Sequence, residues 1–579
     1  MSQTPNFNLK IKSLFDSLRP EERICALTGE RWFMDENEVA WYRKFNVPPS
    51  KYSPTTRLKI LLGFATGISI WWNKHARTGE PILSFIHPDH PIPVISDEEW
   101  ANEDFVRNEA MDPNRPFFEQ MRKLVHSVPN GAMRDDGSNM RSLTVDMGRS
   151  EDLYMVFGGY ASKRILYAIL TIEDEDSLDI SNTKQVRDGY RLNRCERCYG
   201  CRFSVESLDC MSSAFLFDCR HCESCFGGTN LRNRKYVFFN EQLSKEEYER
   251  RVGEIDLSSK TACKEIWQRF LQLMEREGKW PERFTVGSEG CSGEYLDQCV
   301  RCSSGFWIKQ STDTFHCWFN AEIENTFCTT WTGPAQDVYD SNGCFFAHDL
   351  KFCDMAWYSS NLEYCFNCSH CEFCFGCVGL KHKTFCLFNK QYSEEEYWKT
   401  VDIIKCAMLD HGEYGEYFPC DFSPSGFEYS IGNVSLGYSD EEIERFGALK
   451  FDPARGTVLA PQRIDTSSSP LNPSGLPDRL DDVDPSVWIG KPILDPVLNR
   501  PFIVTASEFD FYRRHRLPFP HQHFLSRLTS LIQMSNSPLT EEGICSSCHK
   551  PILIHHNVTF PHRSVFCQAC YSAFLEKRN

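Results

Sequence analysis

Cys219-Arg-His-Cys222-Glu-Ser-Cys225-Phe-Gly recurs as Cys368-Ser-His-Cys371-Glu-Phe-Cys374-Phe-Gly. The same offset then carries Leu231 onto Leu380, Asn240 onto Asn389, Tyr248 onto Tyr397 and Val252 onto Val401, which marks an internal duplication. Each copy runs through a short β-type stretch, Tyr236 to Phe239 and Phe385 to Phe388, into a helix start. Leu243-Ser244-Lys-Glu-Glu247-Tyr248 and Tyr392-Ser393-Glu-Glu-Glu396-Tyr397 each place Ser at the N-cap and Glu three residues on. With an apolar residue before each cap and an aromatic after it, both read as a capping box with a hydrophobic staple.

Further aromatic-and-cysteine clusters surround the second copy: Asp313-Thr-Phe-His-Cys317, Glu324-Asn-Thr-Phe-Cys328, Asp349-Leu-Lys-Phe-Cys353 and Asn361-Leu-Glu-Tyr-Cys365. Ser/Asn/Asp-rich turns separate them at irregular intervals of roughly ten to sixteen residues, the texture of a solenoid of short strands. Phe117, Phe118, Met121, Leu124, Val125 and Val128 fall at helical spacing, predicting an amphipathic connecting helix. Ser467 to Asp484, rich in Ser, Pro and Asp, reads as a linker.

The two ends are also copies of one another. Trp41-Tyr42-Arg43-Lys44 matches Phe511-Tyr512-Arg513-Arg514, Arg57 falls on Arg527, and Pro81-Ile82-Leu83 recurs as Pro551-Ile552-Leu553. In the tail copy, Cys545-x2-Cys548 and Cys567-x2-Cys570 have the spacing of a four-thiolate zinc site, closed and therefore structural. In the head copy the equivalent positions are His75, Thr78, Ser96 and Glu99. Neither Thr nor Ser suits a tetrahedral zinc set, so a hydrogen-bonded polar cluster is expected there. Cys25 with Thr28, and Ser53 with Thr56, read as a further knuckle pair that has lost its thiols, leaving Cys25 as a packed cysteine.

The chain has 579 residues, 41% hydrophobic and 25% charged, so it is long enough for several folded domains. A net charge of −17 disfavours nucleic-acid partners and anionic lipid. No apolar run reaches membrane-spanning length and the first twenty residues lack a signal peptide, which predicts a cytoplasmic protein. Of 28 Cys, 23 lie between Cys195 and Cys420. In a reducing compartment they point to metal or packing rather than disulfides. For the runs Cys195/Cys198/Cys201, Cys219/Cys222/Cys225 and Cys365/Cys368/Cys371/Cys374/Cys377 three readings stand: extra zinc, an iron–sulfur cluster, or an interior packing ladder. Packing is preferred because so many neighbouring Cys are single. Phosphate-binding and hydrolase motifs are absent, and His221 and His370 are the nearest partners a nucleophilic cysteine would have.

These features divide the chain into a degenerate zinc-ribbon-like module (1–112), an amphipathic helix and connector (113–150), cysteine-rich repeat 1 (151–260), a helical connector (261–287), cysteine-rich repeat 2 (288–405), an irregular segment and linker (406–490) and a zinc-ribbon module (491–579). The fold class expected is α+β, mostly β, with a β-solenoid-like middle.

Arg115-Pro-Phe-Phe-Glu-Gln, Phe215-Leu-Phe-Asp-Cys, Leu231-Arg-Asn-Arg-Lys-Tyr, Phe388-Asn-Lys-Gln-Tyr-Ser, Gly412-Glu-Tyr-Gly-Glu-Tyr-Phe-Pro and Arg500-Pro-Phe together span nearly the whole chain. In these stretches it resembles large cysteine-rich proteins with zinc-ribbon-like ends from bacteria of the candidate phyla radiation. That family carries CxxC pairs in both terminal modules. This chain departs from it at Thr28, Ser53, Thr56, Thr78, Ser96 and Glu99. The resemblance implies the architecture and no substrate. The function expected is a non-catalytic zinc-containing scaffold with a protein partner; the alternative is a redox or metal-cluster protein or enzyme using the central cysteines.

Overall fold

The computed structural model describes residues 3–65, 67–321, 323–330, 338–343, 348–462 and 469–578; side chains 319–321, 328–330, 340 and 341 are outside the description. Ser467 and Ser468 of the expected linker, and the Cys328 side chain, lie outside the described residues. The chain forms two units: Met1–Ser69, Asn73–Ala132 and Phe284–Phe451; and Ile70–Trp72, Met133–Arg283 and Asp452–Asn579. Each unit thus joins one terminal module to one duplicated cysteine-rich half, the head to the second half and the tail to the first. Helix and strand contribute in roughly equal measure, an α+β balance less weighted to β than the sequence suggested, because both terminal modules and the segment 394–446 are largely helical.

In the second unit a ten-stranded sheet runs from Leu143–Gly148 to Glu241–Gln242. Neighbouring strands are parallel at a register of twelve residues, as in Leu178↔Tyr190, Tyr190↔Arg202, Arg202↔Ala214 and Ala214↔Phe226. The irregular spacing read from the cysteine clusters overlies a rung of twelve residues, shortened to eleven where Leu143 pairs Tyr154 and Thr285 pairs Leu296. Its origin is local: nearly every third residue, through Asp176, Asp179, Asn182, Gln185, Asp188 and onward, adopts a left-handed φ near +50°. Such residues favour Asn, Asp and Gly, which supply many of these positions. Two extended residues and one left-handed residue make a triplet, and four triplets complete a rung. At Gly159, with φ +147°, a Cβ would stand 2.0 Å from the Thr171 carbonyl oxygen, so only glycine fits.

The residue after each left-handed one points inward: Cys195, Cys198, Cys201, Cys210, Leu216, Cys219, Cys222 and Cys225 are all buried in one core. A large aliphatic such as Ile180, Leu192 or Leu216 shares this core with smaller neighbours, many of them cysteine. The cysteine thiols also serve the backbone, Cys195 donating to the Asn193 and Ser204 carbonyls at 3.5 and 3.4 Å.

Open sheet edges invite pairing with other chains. Asp135, Ser138 and Asn139 cap the first rung, accepting from Met147 N, Arg149 N and Ser150 N at 3.1, 2.6 and 3.1 Å. At the far end Asn240 accepts from Thr229 N at 2.9 Å, and the last strand turns back antiparallel.

The first unit repeats this plan in two sheets. Gly293↔Gly305, Phe306↔Trp318, Ser360↔Glu372 and Glu372↔Thr384 keep the twelve-residue register. Asn389 closes the end as Asn240 does, accepting from Val378 N at 2.8 Å. The helix Glu394–His411 opens with the full capping box of Ser393 and Glu396. At Lys245–Gly253 only half forms: Ser244 accepts from Glu247 N, while the Glu247 carboxylate pairs with Arg250 and Arg251. The amphipathic helix is present over Phe117–Val125, with Phe117 packed on Tyr364, Phe375 and Phe388.

Within each unit a buried arginine clamps the terminal module to its ladder. Arg527 binds Asp179 of the ladder (Nε–Oδ2 2.8 Å) and Glu508 (3.4 Å), and Glu508 accepts from Tyr512 and ladder residue Tyr167, both at 2.8 Å. Arg57 donates to Tyr42 and ladder residue Tyr339, both at 3.2 Å, and Tyr42 donates to Glu38 at 2.8 Å. Among the described residues no helix is long and apolar enough to cross a membrane.

Candidate metal centre

Strand Thr540–Ile544 pairs antiparallel with Pro551–His555, and Cys545 follows the first strand directly. A tight turn brings Cys548 back: Cys545 N donates to Lys550 O at 2.8 Å, His549 N to Cys545 O at 2.9 Å, and His549 takes φ +59°. Cys567 precedes the helix Gln568–Arg578 and Cys570 lies in its first turn, where the positive end of the helix dipole favours thiolates.

The four ligand atoms lie within 4.8 Å of one another, with Cys548 Sγ and Cys567 Sγ 3.7 Å apart. Among the described residues this is the group of His, Cys, Asp or Glu side chains placed to hold a metal ion. Cys545 is buried, Cys548 exposed and the other two half-buried. Burial raises the Cys545 thiol, but the backbone N–H groups of Cys548, Cys567 and Ser547 outweigh it and bring it down to about 6, so a thiolate is available at neutral pH. The histidines of the tail, from His515 to His562, stand outside the group; His555, for one, is buried against the Ser537 carbonyl at 3.1 Å. Of the basic residues there, Arg527 is the buried clamp and Arg578 bonds Thr229 of the ladder at 3.3 Å.

The head positions keep the same backbone with other side chains. His75 N donates to Glu80 O at 2.8 Å and Gly79 N to His75 O at 2.9 Å, with Gly79 at φ +74°. His75 Nε2 meets Glu99 Oε2 at 2.5 Å, and Ser96 Oγ donates to the same oxygen at 2.9 Å. Thr78 Oγ1 instead accepts from Glu80 N at 3.3 Å. The hydrogen bond from His75, then those from Ser96, hold the Glu99 carboxyl at about 2. A carboxylate–imidazole pair thus fills the centre that sulfur surrounds in the tail.

The other knuckle pair follows suit. Cys25 Sγ lies 3.3 Å from Thr56 Oγ1, Thr56 Oγ1 lies 3.0 Å from Ser53 Oγ, and the Ser53 hydroxyl donates to the Glu30 carboxylate. Cys25 is buried, yet hydrogen bonds from Thr28, Thr56 and backbone amides overcome the burial effect and bring its thiol to about 7.

A fourth knuckle went unread in the sequence. Asp495 Oδ1 accepts from Val497 N and Leu498 N at 2.6 and 2.9 Å, and Oδ2 accepts from His523 N and Ser526 Oγ at 2.6 and 2.8 Å. The displacement of 470 residues that takes Arg57 to Arg527 also takes Cys25 to Asp495, Ser53 to His523 and Thr56 to Ser526. That register was the available signal; the absence of any Cys hid it.

The central thiols line the ladder interiors. Burial pushes the Cys195 and Cys219 thiols well above their ordinary range, while hydrogen bonds from neighbouring thiols draw Cys198 and Cys222 down; all four are buried, the setting of packed thiols. His221 and His370 occupy exposed left-handed corners between inward cysteines and do not face them. No protein-family model and no curated protein matches this chain.

Proposed function

We propose that the protein is a zinc-binding, non-catalytic scaffold that engages a protein partner. The observation that carries the zinc assignment is the tetracysteine geometry. Four sulfurs around Zn²⁺ at about 2.3 Å form a tetrahedron with edges of about 3.8 Å, close to the Cys548–Cys567 separation of 3.7 Å. An all-thiolate set leaves no open position for water or substrate, so the ion braces the ribbon rather than performing chemistry. The ion holds Cys567 and Cys570 at the start of the last helix, and Tyr571 beside them reaches the ladder carboxylate of Asp218. Zinc therefore secures the tail module to its ladder.

The scaffold reading draws on the stacked rungs, a solenoid-like body in which each rung touches mainly its neighbours and presents an extended surface. Tyr199 and Met211 stand exposed on consecutive rungs, side chains of the type enriched at protein interfaces. Membership of the cysteine-rich family named above is part of the proposal. Metal analysis of wild type and of the Cys545→Ser/Cys570→Ser variant tests it: one zinc per chain in the first and none in the second supports the assignment, and unchanged zinc refutes it.

A further inference from the structure

The ladder corners hold a second kind of ligand pair. His370 and His382 stand on consecutive rungs, both left-handed at φ +52°. Their backbone N–H groups are tied to the preceding rung, His370 to Trp357 O at 2.9 Å and His382 to Ser369 O at 3.1 Å. The two imidazoles stack with centroids 4.6 Å apart and planes at 26°, and Tyr358 of the rung before stacks on His370 at 5.0 Å. Both histidines are exposed. Among the described residues neither imidazole has a hydrogen-bond or ion-pair partner. Exposed His221 and His348, by contrast, lie beside Asp209 and Asp349 at 3.9 and 3.4 Å.

Neutral imidazole is the commonest side-chain ligand for borderline divalent ions. Here the backbone of two adjacent rungs fixes two of them side by side, so most of the ordering cost of a chelate is met before an ion arrives. Two metal–nitrogen bonds of about 2.0 Å at a right angle span about 3 Å. The rings are stacked with their centroids 4.6 Å apart, so to share an ion each exposed side chain would turn one nitrogen toward the other. We propose that His370 and His382 form a bidentate, solvent-open site for a borderline divalent ion of the nickel, copper or zinc class. Its nitrogen donors and open positions set it apart from the closed sulfur site: ions exchange freely, and a partner's donor can complete the shell.

The test uses the untagged, full-length, zinc-loaded protein and nickel(II) nitrilotriacetate, which offers only two adjacent positions and cannot enter a four-sulfur site. Titration should show one tight site per chain. His370→Ala and His382→Ala should each weaken it roughly a hundredfold, the loss of a two-point attachment, and the double variant should lose the residual one-point binding as well. His348→Ala and Cys545→Ser/Cys570→Ser should leave it unchanged, so failure of the zinc assignment is read separately. Circular dichroism of the histidine variants should match wild type, since both side chains are exposed. Affinity that survives either single substitution, or two losses that combine as independent sites, overturns the proposal.

Discussion

Replacing Arg527 by Met tests whether the buried clamp holds the tail module to its ladder. The guanidinium is almost fully buried, lies against Asp179 at 2.8 Å and Glu508 at 3.4 Å, and stacks over the Tyr167 ring at 5.1 Å. Methionine preserves much of the stem's packing but strands two buried carboxylates. Breaking a buried pair from one side costs about 3–5 kcal/mol. For a unit of this size, with an unfolding entropy of about 0.6 kcal/mol/K, that is about 5–8 °C in melting temperature. Burial already raises both carboxyls, against the pull of Arg527, so removing the cation raises them further. A folded-state carboxyl raised above its unfolded value favours folding at low pH and loses that contribution as pH climbs through the raised value. The variant's deficit should therefore be largest at neutral pH and shrink near pH 4. Thermal melts at both pH values, with amide exchange in the strand Glu175–Lys184, measure it. Arg527→Met/Asp179→Asn should recover part of the loss. A deficit under about 1 kcal/mol at pH 7.5, or an equal one at pH 4, would refute the clamp.

Glu416 is buried, accepts from Lys51 N at 2.7 Å and Ser50 Oγ at 2.9 Å, and is pushed by burial, against those bonds, from 4.5 to about 7. Its contribution is full below pH 4.5 and lost as pH rises to 7, worth about 3 kcal/mol; Glu416→Gln should flatten that dependence in denaturant melts. Cys219→Leu should destabilise by about 1–3 kcal/mol by overfilling its rung, whereas Cys219→Ala should cost less. Alkylation of native, chelator-treated protein should label exposed Cys548 before the buried Cys195 and Cys219, as peptide mapping would show. Chelation should also raise amide exchange in Gln568–Arg578 while leaving Phe524–Ile532 protected, because Asp495 fastens that second helix without a metal.

Several parts of this arrangement were legible in residues alone because they depend on local spacing. Ser393 and Glu396 sit three apart and cap a helix, and Cys545, Cys548, Cys567 and Cys570 show knuckle spacing. Phe117 to Val125 likewise announced its buried face. The ladder period was hidden for a physical reason. A strand alternates every two residues, whereas a left-handed residue at every third position makes inward side chains recur every three. Cys-x2-Cys-x2-Cys was the imprint of that triplet, and it coincides with the spacing of metal knuckles. Long-range partners such as Arg527 with Asp179 leave no local trace, and Asp495 replaces a ligand with a residue that keeps the hydrogen bonds but not the chemistry.

X-ray absorption at the zinc edge of the purified protein, with His370 and His382 replaced by alanine, reads the donor set of the tail ion. Four sulfur neighbours at about 2.3 Å and no lighter donor are expected. A shell containing nitrogen or oxygen at about 2.0 Å, or fewer than four sulfurs, would contradict the four-thiolate zinc site.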